Sequence, residues 1–178
     1  MSPPGFSPVL GAVGQPTGPA FDLVLLAHVL AVAVSVGTVG VSGIQAFRLS
    51  RVPTGSGPRA TLENYYAPGT NWAGRLLFAV PLLGLALVGM SHGYYHFSDD
   101  WILQGIALWV VAAMLAEGVL WPAERQIQEL VHSMVVDGGA DQGARVDPLA
   151  ATCRRAWCCA AALVVILVLA TVLMVAQP

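Results

Sequence analysis

Residues 21–47, FDLVLLAHVLAVAVSVGTVGVSGIQAF, decide the fold. No charged side chain lies between Asp22 and Arg48. About 20 apolar residues, each rising ~1.5 Å, cross the ~30 Å hydrocarbon core of a bilayer, so this stretch spans a membrane with some tilt. Polar residues recur inside it: Ser35, Thr38, Ser42 and Gln45 follow His28 at offsets of 7, 10, 14 and 17. At ~100° per residue they share roughly a 100° arc of one helix face. Gly37, Gly40 and Gly43 form a stripe beside that arc. A polar face next to nearly bare backbone suits close packing against other helices, so Ser35, Gly37, Gly40, Ser42 and Gly43 are the expected packing or partner interface.

Composition extends this reading to the whole chain. Of 178 residues, 56% are hydrophobic and only 10% charged, against about 25% charged in soluble domains. The chain is an integral membrane protein. All eight basic residues are arginine, a bias that fits a GC-rich bacterial genome. No basic surface points to nucleic acid, and phosphate-cradling glycine loops, HExxH, nucleophile elbows and CxxC are absent. Cys153, Cys158 and Cys159 match no metal spacing and read as apolar thiols in the last helix.

Outward from the first span, residues 1–20 form a Pro/Gly-rich tail without the basic start of a signal peptide. Asp22 is placed to cap the first helix (about 22–47), and Arg48 and Arg51 close it. A polar loop follows, with Tyr65, Tyr66 and Trp72 as interfacial anchors. The second span, about 72–95, contains Pro81. Proline removes a backbone donor, so a carbonyl is freed that a neighbouring helix must cover. Asp99 and Asp100 are placed to cap the third span, about 101–121, after which Pro122 bends the chain. Residues 123–135 place Ile127, Leu130, Val131 and Met134 on one face and Glu124, Arg125, Gln128, Glu129 and His132 on the other. That is an amphipathic helix suited to lie on the membrane surface or dock on a partner. Asp147 and Pro148 then begin the fourth span, about 152–176.

The fold class is therefore all-α: one domain over residues 21–178, a bundle of four transmembrane helices with a cytoplasmic amphipathic helix after the third. Arg48, Arg51, Arg59 and Arg75 flank the first connection, and Arg125, Arg145, Arg154 and Arg155 flank the third. The positive-inside rule then puts both termini outside and both arginine-flanked connections in the cytoplasm of a bacterial inner membrane.

Two constellations could carry chemistry. His28, His92 and His96 can gather at one depth near the outer surface, with His92 and His96 on one face if the helix persists through Gly93. Two imidazoles can hold a b-type haem iron, and a histidine with Asp99 or Asp100 can hold copper or zinc. The alternative is that His28 is hydrogen-bonded in the bundle and the other two are interfacial. Glu117 is an acid within the third span and needs a partner. Arg75 and Arg125 lie at its level, which predicts an intramembrane ion pair, with a proton relay as the competing role.

The stretches LLAHVLAVAVSVGTVG, DDWILQGIALWVVAAMLAEGVLWPAERQIQELV and VLMVAQP resemble a bacterial family of four-helix integral membrane proteins with a domain of unknown function. That family is broadly similar to CopD-like copper-resistance proteins and HemJ-like protoporphyrinogen oxidases. The resemblance implies four helices and a metal or haem site on His28, since those relatives carry a first-helix histidine followed by a small-residue run. The chain differs from them in having no lysine and no methionine cluster. Two functions follow as expectations. One is a non-catalytic accessory or regulatory subunit of a larger inner-membrane complex, either a transporter (lipid transport included) or a respiratory assembly, in contact with lipid and other membrane subunits. The other is a haem- or copper-binding redox protein using His28 with His92 or His96.

Overall fold

A computed structural model describes residues 16–51, 72–136 and 142–176. The loop anchors Tyr65 and Tyr66, Arg59 and most of the N-terminal tail lie outside the described residues. The elements are α1 (Pro19–Leu49), α2 (Trp72–Arg75), a 3-10 turn (Leu76–Phe78), α3 (Ala79–Met90), α4 (Asp100–Leu115), a π turn (Ala116–Leu120), α5 (Trp121–Val136) and α6 (Gln142–Ala176). The described chain is helical, with four segments long and apolar enough to cross a membrane: Pro19–Leu49, Ala73–Met90, Asp100–Ser133 and Asp147–Ala176.

The seam of α1 follows from its spacing. His28, Ala31, Ser35, Val39, Ser42, Ala46 and Leu49 are buried at steps of three and four residues, the interval that keeps side chains on one face. This seam packs on α6 and α3, while α6 also receives α4 and α5. The outward faces remain apolar, with Leu23, Leu82, Met114 and Val175 among the most exposed. That inversion of the soluble pattern is what a lipid environment favours, because lipid offers no penalty for exposed Leu or Val.

The ends of the elements depart from the sequence expectations in four places. Gly18, not Asp22, is the N-cap of α1; Pro19 takes the first helical position and Asp22 lies in the first turn, its N–H on the Gly18 carbonyl at 3.0 Å. Proline suits that position because its missing donor would have been unpaired there. The second span ends at Met90, not near Tyr95, because His92 (φ 51°) and Gly93 (φ 87°) turn left-handed. The third span does not stop at Pro122. It passes through the π turn directly into α5. The proline ring would clash with the carbonyl four residues back, that of Gly118, and the widened turn moves this carbonyl out of α register. Finally, α6 starts at Gln142 and carries Pro148 inside it, so Asp147 does not cap it.

Asp99 is the N-cap of α4 as expected. Its carboxylate turns back, however, and accepts the His96 N–H at 2.9 Å, without capping the helix.

Candidate functional site

Three polar positions stand out on the apolar helices among the described residues. The first is at Pro81. Pro81 gives no N–H to the Leu77 carbonyl four residues back, and the indole Nε1–H of Trp109 on α4 donates to that carbonyl at 2.9 Å. One residue before the proline, the Val80 carbonyl accepts from His28 Nδ1 at 3.0 Å. His28 is 8% exposed. Its ring packs against the next turn of α3, where a methyl group added at Gly84 would meet His28 Cε1 at 3.4 Å. The proline-bearing segment is thus pinned by a side chain from each of two neighbours, and Phe78 fills the corner between Trp109 and Trp121 at ring distances of 6.1 and 5.7 Å.

The second position joins α1 to α5. Ser42 is 1% exposed and its hydroxyl donates to Glu124 Oε1. Glu124 is itself 9% exposed. The sequence puts Glu124 on the polar face of the amphipathic segment, yet the structure buries it with Ala123, Ile127 and Val131. This burying face packs on α6, in a cluster that includes Leu149, Cys153 and Ala156. Thr152 on α6 adds a polar contact to Gln126 at 3.4 Å. Beside the π turn, Cys159 Sγ lies 3.6 Å from the Leu115 carbonyl.

The third position is Glu117, in the π turn. Its side chain is exposed, and so are those of Arg75 and Arg125. The ion pair expected between Glu117 and Arg75 or Arg125 is not formed. The Arg75 guanidinium instead lies over the Trp121 ring at 5.2 Å, a cation–π contact that needs no acid.

The structure separates the histidines. His92 and His96 are exposed in the turn after α3, whereas His28 is buried between helices. The helix that would align His92 with His96 ends before either. Among the described residues no group of three or more His, Cys, Asp or Glu is placed to hold a metal ion. Haem would need only two axial ligands, and of the three histidines only His28 is held inside the membrane bundle.

The small-residue interface also divides. Ser35 is fully buried, its hydroxyl on the Ala31 carbonyl at 2.7 Å. A methyl group at Gly43 would lie 2.8 Å from Ala160 Cβ, so Gly43 sets the closest approach of α1 to α6. At Gly37 and Gly40 the same methyl would meet nothing within 4 Å, and these two glycines face out of the chain's own packing.

Sequence reasoning singles out His28, Ser42 and Glu117, puts Glu124 on an outward polar face and does not single out Trp109. The signal for Trp109 was present in Pro81, whose orphaned carbonyl demands a donor from another helix.

No family model, curated protein or solved structure matches this chain.

Proposed function

We propose that this chain is a non-catalytic accessory or regulatory subunit of a larger bacterial inner-membrane assembly, either a transporter (lipid transport included) or a respiratory complex. One observation carries the reading. Among the described residues the buried polar side chains are His28, Ser35, Ser42, Ser91, Glu124 and Thr152, and each has a hydrogen bond within the chain. A polar group inside a membrane is costly and is kept for a use; here that use is to hold helix to helix, or helix to itself. The surfaces left to act are the outward ones, and they face lipid or other membrane subunits.

The arginines support an orientation with both termini outside and the α5 end of the third helix in the cytoplasm. In this orientation the amphipathic segment of the sequence is the cytoplasmic continuation of the third span. It presents Arg125 and Glu129 outward while its apolar face lies on α6.

The rival reading, a haem- or copper-binding redox protein, has one observation in its favour. The bond from His28 Nδ1 to Val80 fixes the ring and leaves Nε2 as the ligating atom. The experiment is a mild-detergent purification from native membranes, with optical and metal analysis and quantitative mass spectrometry of what remains bound. Stoichiometric membrane partners and no Soret band are expected. A single species carrying haem or copper that disappears in His28→Ala would replace the accessory reading with the redox one.

A further inference from the structure

We propose that the outward stripe of α4 formed by Leu103, Ile106, Val110 and Met114, ending at Glu117, docks one transmembrane helix of a partner subunit that presents an arginine or lysine at the depth of Glu117. The inference rests on the accessory-subunit reading and says where and by what chemistry the contact is made.

Four observations lead to it. Leu103, Ile106, Val110 and Met114 are 52%, 38%, 41% and 61% exposed, and their spacing of three, four and four places them in one row with Glu117 one turn further. Glu117 lies within the apolar segment Asp100–Ser133, and among the described residues no basic group pairs with it. Trp101 and Trp121 are 20 residues apart on this helix, about 30 Å and so about one hydrocarbon thickness. Glu117 is one turn inside the Trp121 end. Its side chain cannot easily escape to that boundary, since a helical Cα–Cβ bond tilts toward the helix N-terminus, which here is toward the bilayer interior. The position beside it, Gly118, is exposed, and a Cβ added there would meet nothing within 4 Å. That leaves room for a guanidinium or ammonium group to reach the carboxylate.

The charge selects the occupant. Lipid tails offer no partner to a carboxylate. A second copy docked symmetrically through the same stripe would bring Glu117 against Glu117. A partner helix carrying a cation neutralises the acid and covers the apolar row in one contact, and such paired charges inside membranes occur between subunits as well as within them.

The test uses the full chain in its native membrane, with a photo-crosslinking residue at Met114 and, as a control on another face, at Val168, which is 47% exposed on α6. The Met114 probe is expected to capture one protein through a membrane-spanning peptide that contains arginine or lysine, while the Val168 probe captures lipid. Glu117→Leu should lower the Met114 cross-link about tenfold and Glu117→Gln less, with both variants retaining the thermal midpoint of the parent. Exchanging the charges, Glu117→Arg with the partner's cation changed to glutamate, should restore it. The inference is overturned by a cross-link that ignores Glu117→Leu, by a captured peptide without a cation, or by capture of a second copy of this chain. Partners captured only at Val168 also overturn it while leaving the accessory reading intact. Failure to recover any partner from either probe removes both.

Discussion

Glu117 and Glu124 stand on the same continuous helix, seven residues apart, and they have opposite surroundings. Glu117 faces outward; Glu124 is buried on α6 and accepts the Ser42 hydroxyl. In an unbroken α-helix seven residues advance about 700°, so the two would lie within about 20° of one face. The π turn at Ala116–Leu120 accommodates an extra residue and resets the face by roughly 100°. A single widened turn therefore assigns one acid to the fold and leaves the other to the outside. Chemically identical residues in one span have been given separate tasks by backbone geometry rather than by their neighbours in sequence.

The strongest way to break the comparison is to change the residue count across the π turn. Deleting Gly118 removes the extra residue and should leave Glu124 on Ser42, whereas inserting one alanine after Leu120 should advance α5 by about 100° and carry Glu124 away from Ser42. For the insertion we expect a loss of about 3 kcal/mol or more, the scale of stranding a buried acid, read as a fall in the thermal midpoint of the detergent-solubilised protein. An unchanged midpoint would mean that the turn does not set the two faces.

A smaller effect sharpens the inward half. Ser42→Val removes the donor and leaves Glu124 buried, at a cost of roughly 1–3 kcal/mol. Ser42→Val combined with Glu124→Leu should recover part of that loss, because an apolar pair no longer strands a polar group. If the double variant is worse by the sum of the two single losses, the Ser42–Glu124 bond is not a coupled unit.

The smallest effect is on the outward half. Glu117→Gln should change the stability of the isolated chain by no more than about 0.5 kcal/mol, as expected of an exposed site without a partner in the chain. A loss like that of Ser42→Val would show Glu117 to be a structural acid after all.

Much of this architecture is legible in the sequence, and the parts that are not turn on local backbone geometry and on which face a charged residue occupies. Four apolar stretches announce four spans, the offsets from His28 identify the buried arc of α1, and Pro81 announces a carbonyl in need of cover. A π turn has no comparable signature. Within α5 Glu124 keeps the helical spacing to Ile127 and Val131, three and seven residues on, so it shares their buried face; its charge rather than its position makes it read as exposed. Pro122 misleads because a proline ends a helix only where the preceding turn has no room for its ring. His92 is the remaining case. A left-handed φ at a non-glycine residue depends on the turn it closes, here with the Ser91 hydroxyl on the Val88 carbonyl at 2.7 Å and accepting the Tyr95 N–H at 3.1 Å. Nothing in the HxxxH spacing reveals that turn.

The unequal lengths of the helices carry a mechanical consequence. From Asp100 to Val136 the third helix runs unbroken for about 55 Å, and α6 for about 52 Å, against a hydrocarbon thickness of ~30 Å. Both are about 20 Å longer than that, and they are zipped together where Ala123, Ile127 and Val131 meet the cluster of Leu149, Cys153 and Ala156. Two long helices joined in this way form a stiff double rod, so a tilt imposed on one is carried by the other along their common length.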